Sequence, residues 1–173
     1  MLQVRKNVIA NKFPAGFMRS KITLPSWRDP VWLFAITVGP VFWLIYSQTV
    51  QPIQFANNNT PFSALILAIF IYPVLEEIVF RGWIQAELMS KSLFQKRYFT
   101  ISLANWLTSL LFSLFHLINH EPTWAALVFF PSILFGYLRD RYDAITPSIT
   151  LHIFYNAGFS LLFAVQLIDS SVL

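Results

Sequence analysis

The chain has 173 residues, of which 56% are hydrophobic and only 12% are charged, with a formal net charge of +4. The charged share is about half that of a typical soluble domain, and the mean hydropathy is +0.58, so the composition favours an integral membrane protein. The absence of cysteine excludes disulfides, thiol nucleophiles and thiolate metal sites within the chain. Basic residues lie at the ends of apolar runs rather than on one face, so nothing indicates nucleic-acid binding.

The first 28 residues carry six Lys and Arg residues and no acidic residue. We expect residues 1–28 to be a basic cytoplasmic segment that either lies on an anionic leaflet or is disordered. Residues 29–173 are expected to form one transmembrane domain. The first apolar run begins after Trp27, later and longer than in a cleavable signal peptide, so no such peptide is expected.

Five apolar runs follow in chain order, and each is predicted to be a membrane helix. The fold class is therefore predicted as all-α, a polytopic transmembrane helix bundle of about five spans. Prolines are expected to kink the first helix and to interrupt the fourth, and Gly136 in the fourth is expected to let another helix approach closely. The predicted spans are Val31–Val50, Phe62–Gln85, Leu103–Leu117, Trp124–Leu138 and Thr146–Ile168.

The connections predict the orientation. Nearly all Lys and Arg residues lie in the N-terminal segment, the Lys91–Arg97 loop and the Arg139–Asp143 segment, which is interpreted as a charged turn. The opposite connections, Gln51–Pro61 and the loop at His120, are almost free of basic residues. The positive-inside rule then places the N-terminus in the cytoplasm and the C-terminus outside.

The second span ends in an unusual acidic stretch, with Glu76, Glu77 and Arg81 in an otherwise apolar run. Ionisable groups inside a membrane span persist where they pair, line a wet cavity or perform chemistry. Glu77 and Arg81 are four residues apart, the spacing at which a helix pairs a carboxylate with a guanidinium. Glu76 precedes Glu77 by one residue, so the two side chains point about 100° apart around the helix axis. Glu77 with Arg81 is therefore expected to be structural, and Glu76 to be the chemical group.

Two later spans carry polar residues at the same four-residue spacing. Phe112 and His116 share a face of the third helix, and His152 and Asn156 share a face of the fifth. A single membrane histidine is more often a helix–helix hydrogen bond than a catalyst. Two histidines, an asparagine and a glutamate on three helices instead predict one polar site in a dry bundle.

These three motifs, Glu76-Glu77-x-x-x-Arg81, Phe112-x-x-x-His116 and His152-x-x-x-Asn156, resemble those of the intramembrane glutamic peptidases. That family includes the type II CAAX prenyl endopeptidases and the bacterial bacteriocin-processing and self-immunity proteins, the CPBP or Abi group. The resemblance covers Phe62 to about Phe163 and does not extend to the N-terminal third.

The resemblance implies a catalytic role for four residues and a supporting role for three. Glu76 matches the catalytic glutamate, and His116 matches the histidine that helps to hold and activate water. His152 and Asn156 match the pair that stabilises the oxyanion. Glu77, Arg81 and Phe112 match the remaining motif positions. No cofactor is implied, and the expected location is a bacterial inner membrane.

Counting along straight helices places His116 more than about 10 Å nearer the outer face than Glu76. Two alternatives remain for the third helix: it extends backward through Tyr98 and Phe99, or it starts late, near Asn105 or Trp106. A site in a broken-helix cavity is the other way to bring His116 level with Glu76. Of these explanations we favour the late start, with the preceding residues along the cytoplasmic interface.

Three alternatives to a glutamic peptidase stay open. A zinc protease would use His116 and His120, four residues apart, with Glu76 or His152 as a third ligand. A scaffold or immunity protein would bind a peptide without cutting it. A transporter with so few spans and no repeat would need an oligomer.

Under the peptidase interpretation the partners are the lipid bilayer and a membrane-associated protein or peptide. The resemblance implies a CAAX-like tail, a peptide precursor or a C-terminal sorting segment as substrate. Because the chain is short for the family, helices of larger relatives are missing or come from a second copy or a partner subunit.

Overall fold

A computed structural model describes residues 23–49 and 62–169, with side chains described for residues 23–48 and 62–160. Most of the predicted basic segment 1–28, and the predicted loop Gln51–Pro61, lie outside the described residues. The described residues divide into two compact units. The first unit comprises residues 23–24 and 76–149, and the second comprises residues 25–49, 62–75 and 150–169.

Helices occur at all five predicted positions, so the helical fold class is confirmed over the described residues. Their bounds are Pro30–Thr49 (α1), Phe62–Met89 (α2), Leu103–His116 (α3), Pro122–Tyr142 (α4) and Thr146–Asp169 (α5). By length and composition, Pro30–Gln48 and Phe62–Met89 are suited to cross a membrane. The 14 residues of α3 reach only about 21 Å, less than a hydrocarbon core of about 30 Å. The five-span topology and its orientation therefore stay predictions.

Helix α2 departs twice from regular α geometry. It contains π-helical segments at Leu67–Ile71 and Ile78–Gln85, on either side of the α-helical Tyr72–Glu77. The first segment ends where the backbone N–H of Tyr72 donates to the carbonyl of Leu67. The next π-type bond would run from Pro73 to Ala68, and proline has no N–H to donate. The proline thus leaves the Ala68 carbonyl to another donor.

A compact connection joins α2 to α3. It contains a 3₁₀ turn, Ser92–Gln95, and an antiparallel hairpin of β1 (Arg97–Tyr98) and β2 (Ile101–Ser102). The turn residues Phe99 and Thr100 have positive φ values of 50° and 72°. The alternative in which the third helix extends backward through Tyr98 and Phe99 is therefore wrong, because a tight hairpin reverses the chain there.

The start of α3 is set by its cap. The Ser102 side chain accepts a hydrogen bond from the Asn105 backbone N–H at 3.1 Å, as an N-cap serine does. The helix consequently begins at Leu103, earlier than the late start that we favoured near Asn105 or Trp106.

Helix α4 corrects two further predictions. It continues through Pro131 instead of being interrupted there. The segment Arg139–Asp143 is not a charged turn, because α4 extends to Tyr142 and ends only at Asp143, which adopts the left-handed conformation. Arg139 and Arg141 then lie in its last turn, where cations interact favourably with the helix dipole.

In the second unit, α1 and α5 pack through aromatic residues and glycines. The Tyr155 hydroxyl donates to the Ala35 carbonyl at 2.5 Å, and the Tyr155 ring meets the Trp43 ring edge-on at 6.3 Å. A Cβ added to Gly158 would overlap the Trp43 indole. Small residues allow this approach, which is how membrane helices gain packing energy without a hydrophobic driving force between them.

We expect Gly158→Ala to destabilise the protein by about 1–3 kcal/mol, although alanine is intrinsically the better helix former. The added methyl group has no space unless Trp43 moves. The measurement is the thermal unfolding midpoint of purified protein in detergent micelles. Val41→Ile is the control, since it adds one carbon at an exposed position of α1. Equal midpoints for Gly158→Ala and wild type would contradict the packing described here.

Candidate active site

The centre of the first unit is the fully buried side chain of Arg81. Its Nε lies 3.4 Å from Oε2 of Glu77, which is also fully buried. The ion pair that the four-residue spacing predicted is thus confirmed. Nη1 donates to Ser109 Oγ on α3 at 3.5 Å, and Nη2 donates to Ser132 on α4, at 2.5 Å to Oγ and 2.9 Å to the carbonyl. One guanidinium therefore connects three helices.

A second polar layer lies beside Arg81, one turn further along α2. Gln85 accepts from Arg81 Nη1 at 3.3 Å and donates to the Gly136 carbonyl at 2.9 Å. Asn105 donates to the Ile133 carbonyl and accepts from Ser109 Oγ, each at 2.9 Å. A buried polar group without a hydrogen bond lowers the stability of the fold. Each hydrogen bond named here either joins two of the helices α2, α3 and α4 or lies within one of them.

Gly136 is the position where these helices come closest. A Cβ at this residue would overlap the Asn105 amide and lie 2.8 Å from Gln85 Oε1. The sequence predicted a close helix approach at Gly136, and the structure confirms it. Glycine is required here because the two amide side chains occupy the space that a methyl group would fill.

The second motif joins this centre through its aromatic ring. Phe112 is buried, with the Arg81 guanidinium carbon 5.7 Å from its ring centroid and the Phe80 ring edge-on at 5.0 Å. The His116 ring follows at 4.6 Å from Phe112. Glu77, Arg81, Phe112 and His116 are therefore brought together within the first unit.

The backbone orients His116. Its Nδ1 lies 2.9 Å from the Phe112 carbonyl. A carbonyl only accepts hydrogen bonds, so we assign the proton to Nδ1. In the neutral imidazole this leaves Nε2 as the acceptor, which is the nitrogen that can hold a water molecule or receive a proton.

The pairing of α2 with α3 places Glu76 and His116 level with each other. The two helices are antiparallel, with contacts of Arg81 to Ser109 and of Phe80 to Phe112. Four residues back from Phe80 is Glu76, and four residues on from Phe112 is His116. Both also lie 13 residues from the connection, counted from the end of α2 and the start of α3. Along the two helices the expected mismatch disappears, because α2 continues to Met89 and α3 begins only after the hairpin.

Glu76 itself is half-buried, between the fully buried Glu77 and the exposed Leu75. This difference follows from the helical rotation between neighbouring residues. Glu77, which we expected to be structural, is thus inaccessible to solvent, and Glu76, which we expected to be the catalytic group, is the more accessible of the two.

His152 and Asn156 belong to the second unit, one helical turn apart on α5. His152 is buried. Asn156 Nδ2 donates to the Ala68 carbonyl at 2.9 Å, the carbonyl that Pro73 leaves without a π-type backbone donor. Asn156 thus supplies the donor that Pro73 lacks. This bond uses one of the two N–H donors of the amide.

The zinc alternative named His116 and His120 as ligands. The His116 and His120 rings stack, with centroids 5.6 Å apart, and His120 is exposed beyond the end of α3. Over the part of the chain that the structure describes, no three His, Asp or Glu side chains come together as metal ligands would.

Sequence reasoning did not find the buried polar residues that surround Arg81. They are the buried Gln85, Asn105, Ser109 and Ser132, together with the half-buried Asp140. One signal was available: Arg81 and Gln85 are four residues apart, as are Asn105 and Ser109, so each pair shares a helix face.

We expect Arg81→Met to lower stability by about 3–5 kcal/mol, because it leaves the buried Glu77 charge without its ion-pair partner. The double variant Glu77→Gln with Arg81→Met should recover part of this loss. Thermal unfolding in detergent measures both. The matched control is Lys91→Met, which breaks the exposed Glu87–Lys91 pair of the same spacing and should change little. A double variant no more stable than Arg81→Met would contradict the charge-pair explanation.

Comparison with known proteins supplies the family. A family model described as type II CAAX prenyl endopeptidase Rce1-like matches residues 58–158, which is more than half of the chain. The matched range contains all seven residues of the three motifs. No curated protein and no solved structure matches the chain. The Rce1-like family consists of membrane-embedded proteases, in agreement with the two apolar helices. The resemblance of the motifs is thereby confirmed, and the chain belongs to the type II CAAX prenyl endopeptidase Rce1-like family.

Proposed function

We propose that this protein is an intramembrane endopeptidase of the glutamic type, with Glu76 as the general base. The observation that carries the proposal is the antiparallel pairing of α2 and α3, in which Glu76 and His116 lie level beside the buried Arg81 centre. A carboxylate and an imidazole at the same level of two neighbouring helices suit the activation of one water molecule.

In the proposed reaction, a water molecule binds between the Glu76 carboxylate and His116 Nε2. Glu76 takes a proton as the water oxygen attacks the peptide carbonyl carbon, forming a tetrahedral intermediate with a negative oxygen. The protonated Glu76 then delivers the proton to the leaving nitrogen as the C–N bond breaks. The products are a new carboxyl terminus and a new amino terminus.

We assign stabilisation of the oxyanion to His152 and Asn156. Both carry N–H donors, and such donors commonly contribute several kcal/mol to acyl-transfer catalysis. The support is their four-residue spacing on α5 and their agreement with the third family motif. Glu77, Arg81 and Phe112 are assigned to holding Glu76 and His116 in position, through the ion pair and the ring contacts described above.

The proposed substrate is a membrane-associated protein or peptide. A CAAX-like tail agrees with the family description, and a peptide precursor or a C-terminal sorting segment are the other candidates. We propose a multi-pass location in a bacterial inner membrane. The reaction as written uses no cofactor.

The deciding experiment compares membranes from cells that lack this protein after complementation with wild type, Glu76→Gln or Glu77→Gln at equal expression. New peptide termini are identified by mass spectrometry. Glutamine keeps the shape of Glu76 and removes the base, so cleavage should fall by about 10²–10⁴-fold. Glu77→Gln, the same chemical change one residue on, should act mainly by lowering stability.

Termini that appear with wild type and vanish with Glu76→Gln would establish a glutamate-dependent protease and identify its substrate. Unchanged termini together with a restored phenotype for Glu76→Gln would instead indicate a scaffold or immunity protein that binds without cutting.

The zinc alternative gives a separate prediction. For glutamic catalysis, His120→Ala and treatment with a metal chelator should each leave cleavage within about twofold of wild type, since His120 is exposed and takes no part in the proposed reaction. Cleavage is followed by the same termini. A loss in both experiments, restored by adding zinc, would replace the glutamic mechanism with a metal-dependent one.

A further inference from the structure

Asp140 belongs to none of the three motifs, yet its carboxylate joins two chains of contacts in the first unit. We call them the first arm, which runs through Gln85, and the second arm, which runs through Ser102. Its Oδ1 accepts from Gln85 Nε2 on α2 at 2.8 Å, and its Oδ2 accepts from Ser102 Oγ at 2.5 Å. Asp140 lies in the last turn of α4, on the face turned towards α2 and the start of α3. Each carboxylate oxygen is thus bound to a different structural element.

The first arm leads to the base. Gln85 binds Arg81, Arg81 binds Glu77, and Glu77 directly follows Glu76 in the helix. Asp140 also interacts electrostatically with Arg81 itself. Through these contacts a displacement of Gln85 would be passed along α2 to Glu76.

The second arm leads to the histidine. Ser102 is the N-cap of α3, and its Oγ accepts from the Asn105 backbone N–H while donating to Asp140. The cap determines where α3 begins, and a continuous helix runs from it to His116. Holding Ser102 thus fixes α3 along its own axis.

We propose that Asp140 is a positioning residue that sets the register of α2 against α3, and with it the position of Glu76 relative to His116. The proposal rests on the proposed function for its catalytic consequence, but not for its structural one. A carboxylate suits this role because ionic hydrogen bonds are short and strong and its two oxygens accept from two directions at once.

The size of the expected effect follows from geometry. Misplacing reacting groups by about 1 Å can cost about 10²-fold in rate, even when the substituted residue lies far from the reacting atoms. Asp140→Leu removes both acceptors at similar volume. Asp140→Asn keeps an acceptor for Gln85 and offers an N–H to Ser102 Oγ, so it should preserve the register. Asp143→Asn is the matched control, since Asp143 is exposed and pairs with Arg139 at the end of its own helix.

The first measurement needs no substrate. Because the chain has no cysteine, spin labels attach only at engineered positions. We would place them at Trp83→Cys on α2 and Leu110→Cys on α3, both exposed. Asp140→Leu should broaden or shift the distance distribution, whereas Asp140→Asn and Asp143→Asn should reproduce that of wild type. An unchanged distribution in folded Asp140→Leu would overturn the proposal.

The second measurement quantifies the cleaved termini in complemented cell membranes, normalised to folded protein. Asp140→Leu should lower them by about 100-fold, and Asp140→Asn by no more than about threefold. Equal losses in both variants with unchanged label distances would overturn the proposal, because they would indicate a need for the charge itself. If Asp140→Leu does not fold, Ser102→Ala replaces it, since that variant breaks only the α3 arm and must also broaden the distances.

A parallel Glu76→Gln sample separates the two proposals. Termini that persist with Glu76→Gln would refute the proposed function, and the label distances would still decide whether Asp140 sets the register.

Discussion

The first unit depends on how a buried guanidinium can be satisfied. Arg81 is fully buried and carries a charge, so its donors must find acceptors inside the protein. One helix cannot supply them all: Glu77 and Gln85 provide two from α2, while Ser109 and Ser132 provide the others from α3 and α4. The charge therefore requires three helices to meet at one level, and it explains why small residues line that meeting point.

This arrangement puts the two neighbouring carboxylates, Glu76 and Glu77, into different surroundings. Glu77 pairs with Arg81 and is excluded from solvent, and this pairing holds α2 in one rotation about its own axis. In that rotation the half-buried Glu76 points in a different direction from Glu77 and lies level with His116 on α3. Under the proposed function, the doublet of glutamates divides two tasks: Glu77 holds the helix by its ion pair, and Glu76 serves as the base.

The irregular geometry of α2 belongs to the same picture. π-helical turns occur frequently at functional sites, and both segments flank the short stretch that carries Glu76 and Glu77. In the second unit, the carbonyl left by Pro73 is bonded by Asn156, a residue of the third motif. The family residues are thus also structural residues in their own units, and substitutions must be interpreted with a stability measurement beside the activity.

The helical class, the Glu77–Arg81 pair, the close approach at Gly136 and the family could all be predicted from the amino-acid sequence. These follow from hydrophobicity and from the four-residue spacing of one helix, which are local properties. Tertiary structure alone decided that Arg139–Tyr142 stay helical, that α3 starts after a hairpin, and that Gln85 and Asp140 meet. The contact of Gln85 with Asp140 joins residues 55 positions apart, and no pattern within one helix specifies a partner on another.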